Sequence, residues 1–336
     1  MKRRIRPLFL LGLFFLVALV DRPESLAAPY YAGKMMRIVV GAATGGAYDR
    51  NARLMAKHLP KYIPGAPTFI IENMVGASSI IAANHVYNIA KPDGLTIGIF
   101  NRALPFTQLV KVEGVKFDIT KFSWLGSVTV EPSVLALRTD LPYKTLDDLR
   151  KTKEPIPIGC SGISNQDAQF PLLLKEFCGL NISLVVYKSA NDALLSVERN
   201  EAQGKAGAYS DLKSYITRGL VRPWIRGRIS MKEIDHLPMN EDLTNDKTGK
   251  TIMAMYSVSD ILGRFYVAPP GTPAGQVNIL REAFAKVVKD PEFLADAKKL
   301  LIDIKFTPPE EVLKVVTYTM NQPPAVIKEF SKYVKF

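Results

Sequence analysis

Residues 36–49 read MRIVVGAATGGAYD. The first six form an apolar, β-branched run with the length of a buried strand. A loop of small and hydroxyl residues follows. Ala52, Met55, Ala56 and Leu59 then recur at i, i+3, i+4 and i+7, which places a helix over Asp49 to Leu59. Strand, small-residue loop and helix make the opening half of a βαβ unit. The reading is therefore α/β with largely parallel sheets.

The same alternation runs outward along the chain. Strands are expected at Thr68 to Glu72, Leu95 to Phe100, Ser133 to Arg138, Ile156 to Cys160, Leu184 to Tyr187, Gly204 to Tyr209 and Phe265 to Ala268. Helices are expected at Ser78 to Ala90, Leu146 to Lys151, Gln166 to Cys178 and Asn191 to Arg199, then at 274–289, 291–301, 309–320 and 323–334. Pro171 is expected to kink its helix. Residues 238–250 are polar and turn-rich and read as an exposed loop. No internal repeat is visible in the sequence.

The chain has 336 residues, 47% apolar and 23% charged, which excludes a disordered tail, a collagen-like fibre and a disulfide-stapled miniprotein. At roughly 150 residues per domain, length suggests about two domains. The net charge of +12 includes a leader. Lys2, Arg3, Arg4 and Arg6 precede an apolar stretch from Leu8 to Val20, and Ser25-Leu26-Ala27 offers a signal-peptidase site. A 13-residue helix spans about 20 Å, short of the ~30 Å hydrocarbon core. Cleavage near Ala27 leaves a basic, exported protein. No later segment reads as a membrane span.

Four loops carry the chemistry. They are Thr44-Gly45-Gly46-Ala47-Tyr48-Asp49, Gly76-Ala77-Ser78-Ser79, Ser161-Gly162-Ile163-Ser164-Asn165 and Lys188-Ser189-Ala190-Asn191. Each separates an expected strand from an expected helix. The first N–H groups of a helix have no intrahelical acceptor, and the macrodipole places about half a positive charge there. Glycine lets a ligand approach the backbone, while Ser, Thr and Asn add donors, so such loops suit carboxylates and phosphates. In an open α/β sheet they gather at the carboxyl ends of the strands.

Other chemistries find less support. Gly41-Ala42-Ala43-Thr44-Gly45-Gly46 is neither a dinucleotide fingerprint nor a Walker A loop, and Gly159-Cys160-Ser161-Gly162 lacks the final Gly of a nucleophile elbow. His58, His85 and His236 have no metal-ligand spacing, and His58 and His85 read as surface or boundary residues of helices. No metal or cofactor is expected. Cys160 and Cys178 would stand about 18 Å apart at opposite ends of a helix, beyond the ~7 Å limit for bridging Cα atoms, so both read as free, buried thiols. Arg222 to Arg228, with Trp224 inside it, reads as a strand with solvated charges rather than a nucleic-acid patch.

At its loops the chain resembles the Bug-type extracytoplasmic solute receptors, the periplasmic binding components of tripartite tricarboxylate transporters. The family's opening Pro-x-x-Gly-Gly-x-x-Asp is met by Val40 to Asp49, and its Glu-Asn-x-x-Gly-Ala-Gly by Glu72 to Ser78. Pro92-Asp93-Gly94-Leu95-Thr96, Ser161 to Asn165, Tyr187-Lys188-Ser189 and Ala268 to Pro273 follow in the family's order. The first-loop proline is alanine here, and Ser78 and Ser164 replace glycines of the family pattern.

The resemblance implies a type II periplasmic-binding-protein fold, two α/β lobes around a central ligand cleft. It implies a small organic carboxylate as ligand, and the large and small membrane subunits of the transporter as partners. It also implies that Thr44 to Asp49 and Ser161 to Asn165 act as pincers on a carboxylate, with Ala77, Ser78, Ser79, Lys188 and Ser189 beside them. Lobe one is expected at 29–136 plus 265–336 and lobe two at 137–264, with Ser133 to Arg138 and Arg264 to Ala268 crossing between them. A monomer is expected. The alternatives are a receptor that signals to a sensor kinase and, further off, an enzyme with Cys160 as nucleophile.

Overall fold

The computed structural model describes residues 28–333; the expected leader lies outside them. Ten strands form two sheets of five. They are β1 (Met35–Val40), β2 (Thr68–Asn73), β3 (Thr96–Ile99), β4 (Ser123–Ser127), β5 (Ser133–Arg138), β6 (Ile156–Cys160), β7 (Ile182–Val186), β8 (Gly204–Ala208), β9 (Val221–Arg226) and β10 (Phe265–Ala268). The first sheet has the order β2-β1-β3-β10-β4 and the second β7-β6-β8-β5-β9.

The two sheets share one plan. In each, three parallel strands come from a βαβαβ run, β1 to β3 or β6 to β8. An antiparallel strand from elsewhere in the chain then pairs with the third, β10 on β3 and β5 on β8. The topology repeats although the sequence shows no repeat. Hydrophobic runs suffice for this: the interior strands β3, β8 and β10 are buried throughout, while the edge strands β2 and β7 keep partly exposed positions.

Ser133–Arg138 lies wholly within the second sheet and Phe265–Ala268 wholly within the first, so neither run crosses between the sheets as expected. The chain passes over between Ser127 and Ser133 and returns between Arg226 and Phe265. The helix Pro309–Met320 packs on β4, but the last helix, Pro324–Tyr333, packs against Gln166–Cys178 and Lys247–Tyr256 beside the second sheet. Phe330 meets Phe106 at 5.0 Å between ring centroids, and Phe106 stacks on Tyr256 at 5.6 Å. The C-terminal segment therefore straps the two halves together.

Several expectations need correction. Residues 238–250 are not an exposed loop: Asn240 and Glu241 are buried in a 3-10 turn, and the helix Lys247–Tyr256 starts within the segment. His58 is buried and bonds Asp296 at 3.1 Å. The helix expected from Ser78 begins at Ile80, and Gln166–Cys178 continues through Pro171. Trp224 is buried with the Arg222 guanidinium 4.3 Å from its ring centroid, so it offers no stacking platform. Cys160 and Cys178 are free and buried, as read.

Candidate functional site

The loop after β1 is shaped by its own side chains. Asp49 is buried in the first turn of Ala47–His58, and one carboxylate oxygen accepts from Gly45 N and from Arg53 Nε, both at 2.8 Å. The other accepts from Asn73 Nδ2 at 3.1 Å, and that amide also donates to Ala42 O at 2.9 Å. Thr44 Oγ1 donates to Asn73 Oδ1 at 3.1 Å. Burial pushes the Asp49 carboxyl up. The hydrogen bonds from Arg53, Gly45 and Asn73 outweigh it and hold the group below the ordinary carboxylate range.

The loop after β6 uses the same device. Asp167, also in a first helical turn, accepts from Ser161 N and Ser161 Oγ at 2.9 Å each, and pairs with the buried Lys205 at 2.6 Å. Asn165 donates to Ser161 O and Oγ. In both halves an aspartate therefore holds the loop open around its helix N-terminus.

The second loop is strained. Ala77, Ser78 and Ser79 have φ of 44°, 51° and 77°, three consecutive non-glycine residues in left-handed backbone, each costing about 1–2 kcal/mol. The Ser79 hydroxyl offsets part of this by donating to Gly41 O at 2.7 Å and accepting from Asn101 N at 2.9 Å. A side chain at Gly41 would strike that hydroxyl, with Cβ 2.5 Å from Ser79 Oγ. Such outliers concentrate at ligand sites, where surrounding structure over-determines them.

These loops enclose one cavity of about 570 Å³. Gly46, Ala47, Tyr48, Ala77, Ser78, Ser79, Ser161, Gly162, Ser164, Asn165, Lys188 and Ser189 all line it. Thr44, Gly45 and Asp49 are not in its lining: Thr44 and Gly45 are exposed beside it, and Asp49 is buried beneath the loop it shapes. The N-termini of Ala47–His58 and of Ala190–Glu198, from different sheets, open on the same space. Ser189 caps the second of these by accepting from Asp192 N at 3.1 Å.

A smaller chamber of about 80 Å³ adjoins the cavity and shares Tyr48, Asn101, Asn165 and Asp211 with it. Asp211 pairs there with the buried Arg264 at 2.8 Å, while the Arg50 guanidinium donates to a neutral acceptor, Gly45 O, at 3.0 Å. The guanidinium of Arg264 lies 4.4 Å from the Tyr48 ring centroid, and Tyr48 OH accepts from Arg102 N at 2.9 Å. Tyr48 is thus fixed at both ends.

Asn101, Asp211 and Arg264 were not among the expected site residues. Asn101 follows β3 as Thr44 follows β1, so the rule that located the other loops reaches it too. Its Nδ2 donates to Asn165 Oδ1 at 2.9 Å, a hydrogen bond that joins the two halves across the cleft. Arg264 sits on the return passage, where no local pattern marks a site.

Behind the cavity a buried polar cluster ties the passages together. Arg102, fully buried, donates to Gln166 Oε1 at 2.5 Å and to Glu131 O at 3.0 Å, and pairs with Asp260 at 3.1 Å. Asp260 also accepts from Ser133 Oγ at 2.6 Å and Ser133 N at 3.0 Å. Cys160 is far from nucleophile geometry: it is buried, and burial together with the Asp167 charge pushes its thiol up.

The sequence matches the family model of the tripartite tricarboxylate transporter family receptor over residues 52–331. A UPF0065 protein from the TAR-I ttuE-ttuC' intergenic region of Agrobacterium vitis is 29% identical over 265 residues, covering 78% of this chain and 73% of the relative. The periplasmic binding protein BugD superposes with a TM-score of 0.72 at 21% identity, covering 90% of this chain and 98% of its own. MatC of Rhodopseudomonas palustris, solved with bound malate, superposes with a TM-score of 0.70 at 18% identity, covering 88% of this chain and 99% of its own. The repeated two-sheet topology is thus that of periplasmic binding proteins, and the chain belongs to the receptors of the tripartite tricarboxylate transporter family.

Proposed function

We propose that this receptor captures one small organic carboxylate in the cleft between two lobes and delivers it to the large and small membrane subunits of its transporter. The observation that carries the reading is the meeting, in one cavity, of small-residue loops and helix N-termini from both sheets. The unpaired first-turn N–H groups and the helix dipoles favour an anion there, and the Ser78 and Ser164 hydroxyls add donors. MatC, a structural neighbour, holds malate.

In this reading residues 29–130 and 265–323 make lobe one and 131–264 make lobe two, with the last helix, Pro324–Tyr333, reaching across onto lobe two. The loop from Gly46 to Tyr48 and the loop from Ser161 to Asn165 close on the carboxylate from opposite sides. The Asn101–Asn165 bond forms as they close. The protein works in the periplasm as a monomer, after its leader is removed near Ala27, and it performs no chemistry on its ligand.

A thermal-shift screen over mono-, di- and tricarboxylates, followed by calorimetry on the hits, tests the reading. A ligand at 100 times its Kd adds about 2.7 kcal/mol to stability. At least one carboxylate is expected to raise the midpoint and bind with 1:1 stoichiometry. Absence of a shift with every carboxylate, alongside a shift with uncharged solutes, would overturn it.

A further inference from the structure

The cavity changes character from floor to mouth. Where it adjoins the inner chamber its walls are polar, with Asn101, Ser161, Asn165 and Asn191. At the mouth stand Val75 after β2, Ile163 in the loop after β6, and Val186 at the end of β7. Their exposures are 56%, 50% and 56%, large aliphatic side chains left half uncovered on both sides of the opening. Apolar surface placed there gains most by being covered with an apolar ligand group.

Charge is sparse in the same space. Among the described residues lining the 570 Å³ cavity, Lys188 is the one cationic side chain, and Asp211, the one anionic side chain, is paired with Arg264. Lys205, deeper in, is paired with Asp167. A second or third ligand carboxylate pointing toward the mouth would lie among half-exposed aliphatic side chains with one cation to meet it, the exposed Lys188, whose attraction solvent screens. The volume also falls among pockets of roughly 300–1,000 Å³ that enclose ligands with a substantial apolar body.

We infer that the ligand is an amphipathic monocarboxylate. Its single carboxylate sits at the polar floor against the helix N-termini, and an aromatic or branched aliphatic body lies against Val75, Ile163 and Val186. The inference rests on the carboxylate reading above and narrows it to a class.

Calorimetry with cinnamate, 4-methylvalerate, malate and citrate tests it, on the wild type and on a Val75→Asn/Val186→Asn double variant. Both positions are exposed, so the variant should keep its unliganded thermal midpoint. Cinnamate or 4-methylvalerate is expected to bind at least tenfold tighter than malate and citrate. The variant should weaken that acid tenfold or more while leaving malate within twofold. Tighter binding of malate or citrate overturns the inference and leaves the carboxylate reading standing. An equal loss for all four acids also overturns it, because the rim would then act on lobe closure rather than on the ligand body. If none of the four binds, the carboxylate reading fails and the inference falls with it.

Discussion

Removing Asp260 should cost more stability than any other single side-chain truncation at the passages between the sheets. Arg102 and Asp260 are 0% and 1% exposed, so neither charge can recover hydration without unfolding. In Asp260→Ala the guanidinium keeps only neutral acceptors, Gln166 Oε1, Glu131 O and Ser133 Oγ, while Ser133 N loses its acceptor. Breaking a buried pair from one side costs about 3–5 kcal/mol because an uncompensated charge stays inside. Against a typical total of about 5–15 kcal/mol, that is a large fraction. The assay is urea unfolding of wild type, Asp260→Ala, Arg102→Met and the double variant. Circular dichroism and tryptophan fluorescence serve as probes, since Trp124 and Trp224 report on different sheets. Each single variant should lose about 3–5 kcal/mol, and the double should fall short of the sum by at least about 2 kcal/mol. A loss below about 1 kcal/mol in Asp260→Ala, or additive losses, would refute the reasoning.

Four further outcomes are expected. Asp49→Asn should lose about 1–2 kcal/mol at pH 7, discounted because Arg53 is half exposed, and change ligand affinity little because Asp49 stands behind the cavity wall. Because the folded-state pKa of Asp49 is depressed, its contribution is present above the unfolded value and lost as pH falls through the folded one; the gap in urea midpoint between the two proteins should therefore close below about pH 4. Gly46→Val should raise Kd more than tenfold in calorimetry with under about 1 kcal/mol lost in stability, since Gly46 has ordinary backbone angles and lines the cavity; an unchanged Kd would remove this loop from the site. Asn101→Ala removes a side-chain bond across the cleft, worth about 0.5–1.5 kcal/mol. The loss should weaken binding about 2- to 13-fold, with small-angle scattering showing a more open population. Neither cysteine should react with a thiol reagent at pH 8 in the native protein, because both are buried and burial pushes the Cys178 thiol up to about 11; two equivalents should react after denaturation.

Much of the architecture is legible in local pattern. Apolar runs of strand length locate β1, β2, β6 and β10, because burying such a run requires little beyond its own composition. Elements with mixed faces escape the same reading. The strand Ser123–Ser127 and the helices Leu104–Leu109, Tyr209–Thr217 and Lys247–Tyr256 draw their burial from neighbours remote in sequence. The helix Lys247–Tyr256, for instance, is polar at its start yet packs under the C-terminal helix, so composition alone marked its first residues as loop.

The sequence by itself determined the alternation of strands and helices, the positions of the four loops, and the small-residue chemistry that favours an anion at each. Those are properties of contiguous residues: strand propensity, glycine freedom, unpaired first-turn N–H groups. Only the tertiary structure decided that the two sheets share one topology, that the chain crosses between them before Ser133, and that Asp49 is buried beneath the first loop rather than in the cavity lining. It also decided the cross-cleft bond from Asn101 to Asn165 and the burial of Arg102 beside Asp260. The reason is separation along the chain. Asn101 and Asn165 lie 64 residues apart, and which side chains meet across a cleft depends on sheet order and on where the chain crosses, neither of which leaves a periodic mark in the residues concerned.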